Sequence, residues 1–336
     1  MRYLITGGSG YIGTRLVAHL AERAETAQVS IADVRPPRTF GPKVAFEEVD
    51  VRDRTRVRRL LERERPDVLV HLAFVLNPMH DEHAMYEIDV GGTQNVLEAA
   101  SAAGTEHVLV TSSATAYGAF PDNPVPLTEG HPVRGVPDFE YARDKAESDR
   151  LCQLWACEHP DRVMTIVRPC IVFGPTVDNY ISRTFKDQPF FADFGEGDVP
   201  VQFVHEDDVV DALVGLLDGR HAGAFNVSPD DWMTVGECAE LVGLRLLRVR
   251  TARSPRRCGG CGGSRRRPAT SASCATRGSP RTRSSSRRST GPPDTPRARR
   301  SRSPCGRAAR SPYSTARRAR LPARPPRNRG RPARTR

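Results

Sequence analysis

The sequence predicts a doubly wound α/β fold, a parallel sheet with helices on both faces, carrying a small, incomplete substrate region and a basic tail. Three observations predict it. A glycine-rich turn, Thr6-Gly7-Gly8-Ser9-Gly10-Tyr11-Ile12-Gly13, joins the apolar run Tyr3-Leu4-Ile5 to a segment of helical spacing. Strand-like runs, apolar on both faces, then alternate with helical patterns as far as Phe173. The regular patterning stops near Leu244, where the composition changes abruptly.

In chain order, Ile12, Leu16, Val17 and Leu20 mark a helix to about Ala24. Val29–Val34 reads as a buried strand containing an acid, Asp33, and Val44–Val51 as a third strand. Arg54–Arg65 is a basic helix closed by Pro66. Asp67–Phe74 is an almost wholly apolar strand, and Ala84–Ala103 a long helix stopped by Gly104. His107–Ser113 is a strand, Phe139–Glu158 a helix and Val163–Phe173 a strand. Right-handed crossovers turn this alternation into a Rossmann-type sheet that binds ligands at the carboxyl ends of its strands. Residues 1–174 form that domain.

Residues 175–243 read as a substrate-binding region whose strands and helices return to the core. Pro175–Pro200 is loop-rich and aromatic, with Tyr180, Phe185, Phe190, Phe191 and Phe194. After it come a strand at Val201–Val204, a helix at Asp207–Leu217, a strand at Ala224–Ser228 and a helix at Thr234–Gly243.

The net charge of +11 over 336 residues conceals two unlike parts. From Arg245 onward there are 29 Arg, no Lys and one acid, Asp294, giving +28; the preceding 244 residues carry −17. No apolar run approaches the roughly 20 residues that span a bilayer, and the N-terminus lacks an apolar leader pattern. A cytoplasmic protein without a membrane partner is expected. Cys152, Cys157, Cys170 and Cys238 show neither metal-site nor disulfide spacing and are expected to be reduced. His71, His80, His83, His205 and His221 form no convincing ligand pair. Cys258 and Cys261 form a CxxC without a second pair.

Gly7, Gly10 and Gly13 stand three apart, the spacing that lets backbone N–H groups approach a pyrophosphate at a helix N-terminus. Tyr11 and Ile12 open that helix. Asp33, 20 residues beyond Gly13, is placed to accept hydrogen bonds from adenosine ribose hydroxyls and to repel a 2′-phosphate. This favours NAD over NADP, although Arg35 and Arg38 keep NADP open. Asp33 is otherwise a turn residue at a strand end, and Asp50-Val51 is either a contact to the adenine edge or a strand end.

Tyr141 and Lys145 share a helix face at i and i+4. A phenol with a free pKa of about 10 needs a nearby cation to act as a base near neutral pH, and Lys145 supplies one. Thr111-Ser112-Ser113-Ala114-Thr115 leaves the carboxyl end of a strand toward the same crevice, offering a hydroxyl to polarise a substrate oxygen. On its own, each motif also has an ordinary structural explanation. Together they point to proton transfer beside a dinucleotide.

These motifs resemble the extended short-chain dehydrogenase/reductase family, and within it the NAD-dependent nucleotide-sugar epimerase/dehydratase group. The matching residues are Thr6–Gly13, Asp33, Asp50-Val51, His71-Leu72-Ala73, Val90–Asn95, Thr111–Gly118, Tyr141–Lys145, Arg168-Pro169, Val172–Pro175 and Phe203–Val209. They follow family order from residue 1 to about 243. The resemblance implies that Tyr141 is the catalytic base and acid, Lys145 its partner and Ser113 the polarising hydroxyl, with Ser112 and Thr115 as nearby alternatives. It further implies bound NAD, held by Gly7, Gly10, Tyr11, Ile12, Gly13, Asp33, Asp50, Val51, Leu72, Ala73, Tyr141 and Lys145. It also implies a nucleotide-sugar substrate and a homodimer formed through two helices.

Three positions depart from the family pattern: Asp89 where Asn is usual, Phe74 where a second Ala is usual, and Asp144 where Ser or Thr often precedes the Lys. The dehydratase branch carries an Asp-Glu pair where this chain has Ala114 and Thr115, so the pattern resembles a sugar 4-epimerase more closely. Within the family, a dehydrogenase or reductase of another alcohol or ketone is the alternative. Outside enzymes, the alternative is a dinucleotide- or nucleic-acid-binding protein using the basic tail. That tail has no Ile, Phe, Met or Trp and is expected to be disordered. Its composition reads as a GC-rich gene translated in a shifted frame, in preference to an evolved nucleic-acid arm, where Lys would accompany Arg.

Overall fold

A computed structural model of the chain describes residues 1–38, 41–77, 80–179, 181–183, 190–193 and 199–248. The basic tail, with its expected disorder and frame shift, lies outside the described residues from 249 onward. So do Tyr180, Phe185 and Phe194 of the aromatic segment.

The centre is a seven-stranded, wholly parallel sheet. Its strands are β1 (Arg2–Thr6), β2 (Gln28–Asp33), β3 (Val44–Glu48), β4 (Val68–His71), β5 (His107–Thr111), β6 (Val163–Pro169) and, after four short strands outside this sheet, β11 (Gly223–Val227). The spatial order is β11-β6-β5-β4-β1-β2-β3, so the direction of winding reverses between β1 and β4. This is the position where a doubly wound sheet opens a ligand crevice.

One face of the sheet is covered by α1 (Tyr11–Glu22) and α6 (Glu206–Asp218), with Leu16, Leu20, Leu213 and Leu216 packed on Ile5, Val70 and Val167. The other is covered by α2 (Arg54–Glu64), α4 (Gly92–Ala103) and α5 (Glu140–Glu158), with Leu61, Val96, Leu97 and Trp155 packed on Leu4, Leu69 and Val108. The short helix α3 (Glu82–Tyr86) precedes α4. Strands buried on both faces explain their continuous apolar runs.

Where the elements differ from the sequence reading, polar groups or proline explain the change. The long helix expected over Ala84–Ala103 is broken by a π-helical turn at Glu87–Gly91. There the Thr93 hydroxyl donates to the Asp89 carbonyl at 2.6 Å, inserting a side chain into the backbone ladder. The strand expected over Val163–Phe173 divides after Pro169: β7 (Ile171–Phe173) leaves the main sheet and pairs with β10 (Phe203–His205). The strand expected over Val44–Val51 ends at Glu48, because the Asp50 carboxylate accepts the Arg52 N–H at 2.9 Å and forms a turn. The apolar strand at Asp67 stops at His71, and Leu72–Phe74 leaves the sheet as loop.

Within the substrate region, β9 (Pro200–Val201) pairs with β12 (Met233–Thr234), and α7 (Val235–Leu241) begins with a Thr234/Glu237 capping box. Regular structure passes the expected end of patterning: β13 (Arg245–Arg248) lies parallel to β8 (Phe190–Asp193). Among the described residues no helix is long and apolar enough to cross a membrane.

Candidate active site

The glycine turn lies at the carboxyl end of β1. Gly7 has φ +72°, and a Cβ there would meet the Ala73 backbone nitrogen at 2.5 Å. A Cβ on Gly13 would stand 2.8 Å from the Gly8 Cα. These two positions need glycine because the turn is folded against the loop after β4 and against itself. Gly10 is the N-cap of α1 and offers no side-chain cap, so the first N–H groups of the helix are left to other acceptors.

Asp33 ends β2, nearly buried, with one carboxylate oxygen accepting the Ser9 N–H and the other the Arg35 N–H, both at 3.1 Å. It therefore borders the glycine turn. Tyr11 turns its phenol away, donating to Glu206, so only its backbone faces the turn. Asp50 is engaged by the Arg52 guanidinium, and Val51 is buried, its carbonyl accepting from Asn95 at 2.9 Å. Leu72 and Ala73 follow β4, their backbone against Gly7.

The residues expected to carry chemistry gather at the carboxyl end of β5. Ser113 is the N-cap of a 3₁₀ turn, Ala114–Tyr117. Its hydroxyl donates to the Thr115 hydroxyl and accepts the Thr115 N–H, both at 3.1 Å. The 3₁₀ turn packs on α5, which carries Tyr141 in its first turn and Lys145 one turn later. The Lys145 Nζ donates to the Thr111 carbonyl at 2.8 Å and lies 5.9 Å from the centre of the Tyr141 ring. Phe74 flanks both: its ring centre is 3.4 Å from Nζ, and it meets the Tyr141 ring edge-on at 5.7 Å. Burial pushes the Lys145 ammonium below its ordinary range, opposed by the pull of Asp89. Of the alternative hydroxyls, Ser112 Oγ is buried with no partner among the described residues.

His71 is fully buried between two threonines, Nδ1 2.6 Å from Thr6 Oγ1 and Nε2 3.0 Å from Thr93 Oγ1. The Thr93 hydroxyl is already committed to donating to Asp89, so it accepts from His71 Nε2–H. Nδ1 is then the acceptor for Thr6. Burial, with a smaller contribution from Lys145, lowers the His71 pKa to about 3, which makes it a neutral structural residue. His205 caps α6, its Nδ1 accepting the Asp207 N–H at 3.2 Å. No cluster of three or more metal-ligating side chains occurs among the described residues, and Cys152, Cys170 and Cys238 are free thiols.

Two supports of the site were not singled out from sequence. Asp149 pairs with buried Arg168, and Glu206 joins Tyr11, Arg15 and Thr176. Asp149 lies four residues after Lys145, so helical spacing alone puts it on the same face.

A glycine cradle at a winding reversal, an acid at the end of the second strand and a Ser/Tyr/Lys set at the fifth lie together along the carboxyl ends of a doubly wound α/β scaffold. Residues 3–228 match the profile of the NAD dependent epimerase/dehydratase family, and the chain belongs to that family. It is 28% identical over 246 residues to an uncharacterized protein of Sinorhizobium fredii, covering 71% of this chain and 59% of that one. The chain thus spans less than two thirds of that relative's length. An uncharacterized epimerase/dehydratase of Staphylococcus aureus is 27% identical over 233 residues, covering 66% of this chain and 71% of the relative. The structure resembles Thermus thermophilus UDP-glucose 4-epimerase solved with NAD: TM-score 0.62, 25% identity, 74% of this chain and 87% of that one covered. It also shares its fold with Bacillus anthracis dTDP-glucose 4,6-dehydratase: TM-score 0.60, 18% identity, 75% and 85% covered.

Proposed function

We propose that the chain is an NAD-dependent 4-epimerase of a nucleotide sugar. The observation that favours this over dehydration is the 3₁₀ turn after Ser113. It presents Ala114 and Thr115, with no carboxylate to protonate a leaving hydroxyl, beside an intact Tyr141/Lys145 pair. The cradle that a Cβ would fill at Gly7 and Gly13, the uncapped α1 N-terminus and Asp33 fit the pyrophosphate and adenosine ribose of NAD. Bound NAD supplies a reversible two-electron acceptor for the sugar carbon.

The chain's own residues move the proton. Ser113 Oγ donates to the sugar oxygen and orients it toward Tyr141. The Tyr141 phenolate takes the hydroxyl proton and later returns it. The Lys145 ammonium stabilises the phenolate and would hold the nicotinamide ribose. No net redox change accompanies turnover, which separates this reading from a dehydrogenase or reductase of the same family: that enzyme would accumulate NADH. A second copy of the chain docks across α4 and α5, where Leu154 stands out from a groove lined by Leu97, Leu151 and Trp155.

Tyr141→Phe tests the assignment. Turnover of UDP-sugars should fall by ~100-fold or more, the scale of general acid–base catalysis. Near-normal turnover by the variant would remove Tyr141 from the mechanism.

A further inference from the structure

Phe74 sits in a loop that joins the glycine cradle to the Tyr141/Lys145 pair and is fastened on either side of it. β4 stops at His71, and the backbone that follows crosses Gly7 so closely that a Cβ there would meet the Ala73 nitrogen at 2.5 Å. One residue beyond Phe74, the Val75 N–H donates to the Asp89 carboxylate of the π-helical turn at 2.7 Å. The ring held between these two points is half-buried. Its centre lies 3.4 Å from Lys145 Nζ, and it meets the Tyr141 ring edge-on at 5.7 Å. Lys145 is buried and makes no salt bridge among the described residues; its Nζ donates to the neutral Thr111 carbonyl at 2.8 Å. A ring that only filled space would need no more than the apolar stem of the lysine against it. Here the nitrogen itself stands over the ring, where the negative face of the π system attracts a cation.

We propose that Phe74 is a positioning residue, whose ring face and the Thr111 carbonyl together seat the Lys145 ammonium beside Tyr141. The proposal rests on the Tyr141/Lys145 reading for its catalytic meaning, but the seating of the cation does not. It belongs to this chain's own pattern, because the alanine usual at this position has no π face to offer. Burial by itself favours the neutral amine, and a cation–π contact is worth most where the cation is desolvated. The other groups facing Nζ leave room for this contribution. On α5, Asp149 is paired with Arg168, and burial pushes the Cys152 thiol up and keeps it protonated. From β4, His71 is neutral. From the π-helical turn, the Asp89 charge attracts the ammonium, adding to the ring without replacing it. The loop at 72–75 is also the wall against which the glycine turn is folded. The backbone that closes on Gly7 therefore fixes where the ammonium stands, and sets the cradle and the proton-transfer pair in register.

The test uses the full chain without substrate or cofactor. The sequence contains three lysines, Lys43, Lys145 and Lys186. Selective ¹³C-lysine labelling therefore gives three Cε signals, and that of Lys145 is the one absent in Lys145→Arg. Burial pushes the Lys145 ammonium down to about 8, within reach of an NMR titration. Site-specific replacement of Phe74 by phenylalanine bearing one, two and then three ring fluorines keeps the side-chain shape while draining the negative face in steps. A weaker face disfavours the charged amine, so the Lys145 midpoint should fall with each fluorine. The whole series should span about one pH unit, the scale of a desolvated cation–π contact. Phe74→Leu, which keeps apolar bulk and removes the π face, should fall at least as far, and Lys43 serves as the internal control. A flat fluorine series overturns the proposal even where Phe74→Leu shifts the midpoint, because the ring would then act through bulk alone. Fluorinated chains that no longer unfold cooperatively also overturn it, because the ring would then be holding the fold. Absence of epimerase activity would leave this titration readable, so the two readings fail separately.

Discussion

Arg168 grips Asp149 through both carboxylate oxygens, Nε to Oδ2 and Nη2 to Oδ1, each at 2.8 Å, with both side chains buried. The same guanidinium donates to the Tyr117 hydroxyl at 2.8 Å, which donates in turn to Asn226 Oδ1 at 2.8 Å. One buried network therefore ties α5 to β6, β11 and the 3₁₀ turn after Ser113. Asp149→Ala would leave the arginine buried and uncompensated, a loss of about 3–5 kcal/mol. Urea unfolding at pH 7 measures it. A loss below about 1 kcal/mol, the value of an exposed pair, would mean that the network does not hold α5 in place.

The sheet was legible because strands buried on both faces write themselves as unbroken apolar runs, and Gly7, Asp33, Tyr141 and Lys145 because their spacing follows from turn and helix geometry. Less legible were events decided by one side chain against the backbone. Thr93 bonding to the Asp89 carbonyl breaks a helix whose apolar period continues past it. Pro169 ends one strand while the apolar pattern runs on into the next. Phe74 reads as the last residue of the apolar strand from Asp67, yet it stands over Lys145 from a loop because the strand stops at His71. The Glu206 cluster was hidden by distance, since Tyr11 and Glu206 are 195 residues apart.

Two histidines should make the chain acid-sensitive. Burial lowers the His71 pKa to about 3, and burial with the nearby Arg220 lowers that of His107 to about 4. Both pKa values lie below the unfolded value of about 6.5. The unfolded chain therefore binds more protons, and stability is full above about pH 6.5 and lost as pH falls toward the folded values. At pH 5 each histidine costs about 2 kcal/mol. His107→Asn, measured by urea unfolding at pH 7.5 and 5.0, should shrink the acid loss by about that amount. An unchanged acid loss would rule His107 out as its source.

The groove between α4 and α5, about 520 Å³, leaves Leu154 59% exposed beside Leu97, Leu151 and Trp155. A second copy seated there would bury this side chain in an apolar interface. Sedimentation should then give twice the chain mass of 37.0 kDa, and Leu154→Arg should give a single chain mass. A wild-type monomer at tens of micromolar would remove this face as a dimer interface.

Glu206, fully buried at the start of α6, accepts from Tyr11, Arg15 and the Thr176 hydroxyl. Burial alone would raise its carboxyl, but these three partners outweigh burial and hold it below the ordinary range. Burial and the Glu206 carboxylate push the Tyr11 phenol up, so Tyr11 remains a donor at any working pH. The pair fastens the residue that follows Gly10 to the element that follows β10. The backbone N–H groups of Tyr11 and Ile12 at the head of α1 are thereby held in one place. Losing this anchor should weaken NAD binding by about tenfold, the equivalent of one hydrogen bond to a charged group. Tyr11→Phe and Glu206→Gln should each show that loss in an NAD titration. Because both act on the Tyr11–Glu206 contact, the double variant should lose less than the sum of the two single losses. Losses that add in the double variant would mean that the two side chains act on the cofactor separately, and that the turn is held by its glycines alone.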